Sequence, residues 1–590
     1  MTFLEKIADE VLKEGKNRLS KYCFVFPTRR NGIYFRNILS KKIDSPIWSP
    51  EILSIEDFFG KLSPYTIADN LLLIFELHRV YGTSEAFDSF YSWGEMVLSD
   101  FDEVDKFLVP AEILFKKVKE FKDIDDAFPV ELQEEFKKFW ETIFNSKTDL
   151  KNDFVKIWEV LGEIYSKFNA SLKSQGIAYK GRAYKEVCRK ILDGEINFEW
   201  EKIIFSGFNS LNKCEEKIIQ KLLDEGKAVI YWDSDEYYIN DDKQEAGHFL
   251  RKNFKTFRIK NSNWVENNLL TDEKNLSVTG IPLNMGQAKL TGKLLKELLS
   301  GKNFKSETTV LVLPDENMLL PVLYSLPDEI KELNVTMGFK FRNTPLFNLL
   351  MLIKSLLESK KGTGENIRFY HKDFSSILQH PYIKLFDSNY TYELVKEITK
   401  GNYVYVGRKN ILKGEFPQIL DIIFSEPPGI KEIFIYLRAI IDLIAGKFEN
   451  KPSAYENFQL EYIFSLYLHL NRFEDILNEY NTTVSPNMFW KILKDVLNNI
   501  SIPFTGEPLK GLQIMGLLET RGLDFENVIV LSVNEKIVPR GNFHNSFIPY
   551  PLRKAFKMPV YDDNDSITAY YFYRLLQRAK NINLISTNAN

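Results

Sequence analysis

The stretch LQIMGLLETRGLDFENVIVLSVNEKIVP, Leu512 to Pro539, decides how the rest of the chain is read. LQIM is an apolar run of strand length. Gly522-Leu523-Asp524-Phe525 supplies a turn. NVIVLSV is a second apolar run rich in β-branched residues, and Pro539 stops it. Unbroken apolar runs bounded by turn residues are how the buried strands of a parallel sheet read.

The pattern recurs outward from there. A helix over Phe3–Leu12 precedes the apolar run YCFVF, Tyr22–Phe26. Pro27-Thr28-Arg29-Arg30 and a helical pattern to Lys42 follow it, giving strand, turn and helix. KIIFSG (Lys202–Gly207) and KAVIYW (Lys227–Trp232) read as buried strands with a helix over Lys213–Asp224 between them. NLSVTG (Asn275–Gly280), a helix to Leu299 and TTVLVLP (Thr308–Pro314) repeat the unit. A helix over Ser566–Lys580 and the strand NINLIS close it. Two long zones break the alternation. From Ile52 to Leu192 apolar residues recur at three and four spacings, as in Leu71, Phe75 and His78, and Ser54-Ile55-Glu56-Asp57 resembles a capping box. Asn343–Asn499 is helical as well, except for NYVYVG at Asn402–Gly407. Strands alternating with helices imply parallel sheets. The expected fold class is therefore α/β, with two parallel-sheet blocks, each interrupted by a large helical insertion.

The chain has 590 residues, which suggests about three to five domains. Hydrophobic residues make up 44% and charged residues 27%, the balance of an ordinary globular chain with ample core. A net charge of −4 argues against a wholly basic nucleic-acid module, so any such binding needs a local groove. The aromatic share of 14% fits core packing and base stacking alike. Cys23, Cys188 and Cys214 lie far apart without CxxC spacing, so neither a metal site nor a disulfide framework is expected. The first residues lack a signal-peptide core, and no apolar run of about 18 residues occurs. The expected location is the cytoplasm, with no membrane partner.

Two α/β blocks with helical insertions resemble superfamily 1 helicases of the UvrD type. The opening stretch looks like their motif V, and AYYFYRLLQRAKNINLI (Ala569–Ile585) like their motif VI. FYSWGEMVLSDFDEVDKFL (Phe90–Leu108), NVTMGFKFRNTP (Asn334–Pro345), FYHKDFSSILQHPYI (Phe369–Ile383) and NSFIPYPLRKAF (Asn545–Phe556) are similar to AddB-like proteins, in order and spacing along essentially the whole chain. Those proteins are the B subunits of an ATP-dependent helicase–deoxyribonuclease of Bacteroidetes-type bacteria. The resemblance implies two RecA-like domains, 1–50 with 200–272 and 273–342 with 505–590. Their helical insertions would be 51–199 and 343–504.

The residues that would carry helicase chemistry have changed. A phosphate cradle needs a glycine-rich loop ending in Lys and Ser or Thr. The nearest string, GQAKLTGK at Gly286–Lys293, has the wrong spacing and a helical pattern. Where an acidic pair should end a strand the chain reads Phe205-Ser206-Gly207-Phe208. Asp233-Ser234-Asp235-Glu236 is expected as a solvated turn. Gly516 and Leu518 replace a Thr and a His, and Ala569 and Tyr570 replace charged neighbours of Arg578. No cofactor or metal is expected. The family's PD-(D/E)XK nuclease would lie beyond Asn590, so a fragment or a short form lacking it is expected, and Pro327-Asp328-Glu329 reads as a turn.

The expected function is therefore a non-catalytic subunit of a double-strand-break repair complex working by homologous recombination. The expected partners are DNA, as single-stranded tails and duplex ends, and an AddA-like helicase–nuclease. The candidate DNA contacts are Arg29 and Arg30 after the first strand, Arg521 in the motif V turn, Arg553 and Lys554 after an aromatic-proline segment, and Arg578, which could equally brace the sheet. An active helicase with an unrecognised nucleotide site and a pure assembly scaffold are the alternatives. Phe90 and Trp93 read as core, Asp100–Asp105 as a solvated helix face, and His371 and His380 as structural.

Overall fold

The computed structural model of the chain describes residues 1–82, 86–115, 149–259, 264–301, 304–407, 416–449, 453–504, 509–539 and 545–588. Parts of both helical zones, including 116–148, lie outside them. The fold is mixed α/β with two all-parallel main sheets. The first has four strands, β1 (Tyr22–Phe26), β2 (Glu51–Ser54), β3 (Lys202–Ser206) and β4 (Ala228–Tyr231), in the order β2-β1-β3-β4. The second has six, β5 (Asn275–Ile281), β6 (Thr309–Val312), β7 (Leu333–Val335), β8 (Leu512–Met515), β9 (Asn527–Val530) and β10 (Asn581–Thr587). Their order is β7-β8-β6-β9-β10-β5.

Every residue of β1, β6, β8 and β9 is buried, as the unbroken apolar runs require of strands covered on both faces. The crossover helices follow from their own sequences. In α1 (Phe3–Lys13) a capping box of Thr2 and Glu5 opens the helix, and Phe3, Leu4, Ile7, Ala8 and Val11 form its buried stripe. Helix α2 (Arg29–Lys42) starts where the Thr28 side chain accepts the Asn31 N–H. Side chains of both sheets, among them Phe24, Val25, Val310 and Val528, join Leu575 of the helix Tyr561–Gln577 in one continuous apolar core.

Both sheets lie in one unit, Met1–Leu73 with Gly94–Met337 and Phe504–Asn590. The second unit, Ile74–Trp93 with Gly338–Pro503, is mainly helical among the described residues. There Arg368–Tyr370 pairs antiparallel with Tyr405–Gly407, inside the expected NYVYVG run. His380 caps the helix Pro381–Lys384 through Nδ1, and burial lowers its pKa to about 4.

Three details differ from the sequence reading, and two others agree with it. Strand β2 belongs to the first sheet, although a boundary at residue 50 assigns it to an insertion. The Ser54 capping box is present and leads straight out of that strand. Helix α3 (Phe87–Lys106) buries Asp100 and Asp105, so its acidic stretch is not a solvated face; Asp105 accepts hydrogen bonds from Tyr165, Tyr179 and Lys185. Strand β5 is uncovered on both faces, with Leu276 and Val278 at 60% and 71% exposure. GQAKLTGK lies in helix α4 (Asn284–Leu299), where buried Gln287 accepts the Ser532 N–H.

The contrast between β9 and β5 gives a direct test. Ile529→Ala should cost about 2–5 kcal/mol because it empties a fully buried site. Leu276→Ala should stay within about 0.5 kcal/mol. Denaturant unfolding of the two variants beside the parent chain measures both.

Candidate functional site

Open parallel sheets place their functional groups beyond the carboxyl ends of the strands. Here the carboxyl ends of the first sheet meet segments of the second, among them Asp524 and Arg578, which lead into the amino ends of β9 and β10. After β1 come Pro27–Asn31, after β3 Gly207 and Phe208, and after β4 Trp232–Asp235. The second sheet contributes the turn Gly516–Phe525 after β8 and helix α5 (Tyr561–Gln577) with the adjoining Arg578.

A buried ion-pair network joins them. Arg574 Nε donates to Asp233 Oδ2 at 2.7 Å, and its NH2 lies 2.8 Å from Asp524 Oδ1. Arg578 NH2 donates to Asp233 Oδ1 at 2.8 Å and pairs with Glu266 at 2.6 Å, while NH1 reaches Asp524 at 3.2 Å. Arg574 also donates to the Leu523 carbonyl. The side chains of Asp233 and Arg574 are 1% and 2% exposed. Burial pushes the Asp233 carboxyl up, but the two guanidiniums outweigh it and hold the pKa below the ordinary value. Tyr570 donates to the Asp233 carbonyl, and Gln577 spans the Ser234 carbonyl and the Tyr238 hydroxyl.

The N-terminal helix completes this junction. The Phe3 N–H, an orphan donor of the first turn of α1, donates to Asp524 Oδ2 at 2.8 Å. The Phe3 ring lies 3.3 Å from where a Cβ on Gly207 would stand, and 5.8 Å from the Trp264 ring. Thus an aromatic ring rests at the end of β3, beside Gly207.

These contacts correct one reading and favour one of the two alternatives in another. Asp233-Ser234-Asp235 is not a solvated turn: all three residues are buried, and Asp235 caps the next helix by accepting the Tyr237 N–H. Arg578 braces the two sheets and is 8% exposed, so it is not placed to meet a phosphate. Sequence reading missed Arg574. Its four-residue spacing from Arg578, on a helix otherwise rich in tyrosine and leucine, was the available signal.

The remaining candidates fall in three settings. Arg553 donates to the Pro559 carbonyl at 2.8 Å and to Ser546 at 3.1 Å, and pairs with Glu103, so its donors are engaged internally. Lys554 is exposed. Arg29 is 80% exposed and grips Asp57 with two nitrogens, which holds that carboxyl down to about 2.

Arg30 and Arg521 differ from all of these. Among the described residues neither pairs with a carboxylate, and Arg30 NH1 and Arg521 Nε are buried without a hydrogen-bond partner, as are Arg574 NH2 and Arg578 Nε inside the ion-pair network. Burial pulls the Arg30 pKa down, and the nearby Glu519 carboxylate opposes that fall. The Arg521 guanidinium lies 4.3 Å from the centre of the Tyr571 ring. The two turns are fastened together, since Asn31 Nδ2 donates to the Arg521 carbonyl at 2.6 Å. Gly522 is needed there: its φ is +65°, and a Cβ would stand 2.3 Å from Asn31 Nδ2. Two arginines from different sheets are thus held at one junction with donors unspent. Among the described residues no group of three or more metal-ligating side chains comes together. No helix there is long and apolar enough to cross a membrane.

Comparison with protein-family models and with curated proteins finds no match for the chain.

Arg574→Ala should cost up to about 3–5 kcal/mol, because it leaves Asp233, Asp524 and Glu266 to share the single guanidinium of Arg578. Arg574→Lys should recover part of that loss, as one ammonium cannot serve both carboxylates and a carbonyl; thermal melts of the two variants read the difference. A second test concerns Asp100, whose pKa burial raises to about 6 against hydrogen bonds from Ser546 and Phe547. A carboxyl raised in the folded state adds most stability when protonated and loses that contribution as pH climbs through the folded value. The parent chain should therefore gain stability relative to Asp100→Asn between about pH 7 and about pH 5. Unfolding midpoints across that range give the sign.

Proposed function

We propose that this chain is a non-catalytic, helicase-like subunit that guides unwound DNA strands in a helicase–nuclease complex for double-strand-break repair. Its two sheets would be RecA-like cores, and an AddA-like partner would supply ATP hydrolysis. The observation that carries the reading is the pairing of Arg30 and Arg521. Each follows the carboxyl end of a strand, each has one buried guanidinium nitrogen without a partner, and neither is paired with a carboxylate among the described residues. A buried donor left unsatisfied is costly, and a phosphate oxygen is an acceptor that would relieve it. Sugar-phosphate contacts of this kind position a strand without reading its sequence. The exposed Arg29 at the start of α2 extends the same edge.

The Asp233–Arg574–Arg578 network and the Phe3 ring support the non-catalytic half of the reading. They take up the strand ends with charges already neutralised and an apolar side chain. Such a junction offers little to a nucleotide's phosphates. Positioning, not bond breaking, is then the chain's contribution.

The test is a titration of the purified chain with a duplex bearing single-stranded tails, over a range of salt. Arg30→Ala and Arg521→Ala should each weaken binding and flatten the logarithmic salt slope by about 0.7. Arg29→Ala should act in the same direction but less, since that side chain already has a carboxylate partner. Unchanged affinity and slope in all three variants would leave the chain an assembly scaffold.

A further inference from the structure

A cavity of about 460 Å³ opens elsewhere in the two-sheet unit, between α3, the helix His248–Thr256 and the segment Ser546–Ile567. That volume falls in the range of small-molecule sites, about 300–1,000 Å³. Its apolar wall comes from Phe107, Leu211, Phe249 and Ile548. At its mouth stand Tyr550 and Tyr561, 43% and 52% exposed. The wall and mouth therefore offer ring faces and flat apolar surface.

The charges of this cavity are unevenly used. Its carboxylates, Glu103 and Asp563, are both occupied: Glu103 pairs with Arg553, and Asp563 caps α5 by accepting the Val560 N–H at 2.9 Å. Its two lysines, Lys252 and Lys557, have no carboxylate partner among the described residues, and Lys252 lies 5.9 Å from the Phe249 ring. The unspent charge is positive and sits beside aromatic surface. Ser210 and Asn564 add a hydroxyl and an amide to the same lining. A ligand that matches all of this is flat and aromatic, has a hydrogen-bonding edge and carries an anion. We propose that the cavity binds a nucleoside 5′-phosphate, with its base against the tyrosines and Phe249 and its phosphate on Lys252 and Lys557. The nucleotide comes either free or as one unit of a single DNA strand, and the second source rests on the strand-guiding reading above.

The two sources are separated by titrating the full chain with deoxythymidine 5′-monophosphate and, in parallel, with a short oligothymidylate carrying one photoreactive 5-iodouracil. Tyr550→Ala and the double variant Lys252→Ala/Lys557→Ala should each weaken binding about tenfold, and Tyr550→Phe should retain it. All the altered side chains are exposed, and melting curves check that the variants fold. Binding of the monophosphate with this sensitivity assigns a free nucleotide. Binding of the oligonucleotide alone, with cross-linking to Tyr550 or Tyr561, assigns a strand. Oligonucleotide binding that falls in Arg30→Ala and Arg521→Ala but is unmoved by the cavity variants, without a cross-link, overturns the cavity site and leaves strand guiding standing. Failure of both probes to bind overturns both.

Discussion

Two guanidiniums surrounded by three carboxylates hold this molecule's two sheets to each other. Charges taken out of water cost several kcal/mol apiece, so such a cluster survives only where each member meets its counterpart at close range. Here Asp233 leaves the first sheet, Glu266 follows it, Asp524 sits in a turn of the second, and Arg574 and Arg578 reach all three. Much else is set by that arrangement. The rotation of α5 about its axis puts Tyr570 and Gln577 onto backbone carbonyls at the end of the first sheet. The start of α1 is anchored because Asp524 has an oxygen left for the Phe3 N–H, a carboxylate at the positive end of a helix.

The same residue type plays opposite parts a short way along the junction. Arg574 and Arg578 are ion-paired to carboxylates on every side, although Arg574 NH2 and Arg578 Nε are left short of a hydrogen bond. Arg30 and Arg521 are held by Asn31 and Gly522 in a place where the protein gives them less to bond. An arginine cannot shed its charge as lysine or histidine can, so an unsatisfied one stays a cation seeking an acceptor. This difference in partners, not any difference in overall charge, separates the arginines that brace from those suited to meeting a phosphate.

How much of this could be read beforehand follows from the range of the interactions. Strands such as YCFVF and NVIVLSV announce themselves because burial on both faces leaves a local, continuous apolar run. Helix starts at Thr2, Thr28 and Ser54 are equally local, since a cap and its acceptor lie three residues apart. Asp233 was misread as solvated because its partner Arg574 is 341 residues away. Asp100 and Asp105 were misread for the same reason: a row of acids on a helix looks wet until Ser546, Tyr165, Tyr179 and Lys185 are brought to it. Strand β5 erred the other way. NLSVTG has strand composition, but composition says nothing about whether another layer lies over it.

That strand also has a bearing on how the chain is made. Its only described neighbour in the second sheet is β10, paired from Asn275–Asn581 to Ile281–Thr587. On the ribosome, β5 therefore emerges with nothing to bond to and waits while some three hundred further residues are added. Parallel pairing across such a separation is slow to form, and unpaired apolar edges are prone to wrong partners in the interval. Leu276 and Val278 keep apolar side chains on that open strand throughout the interval.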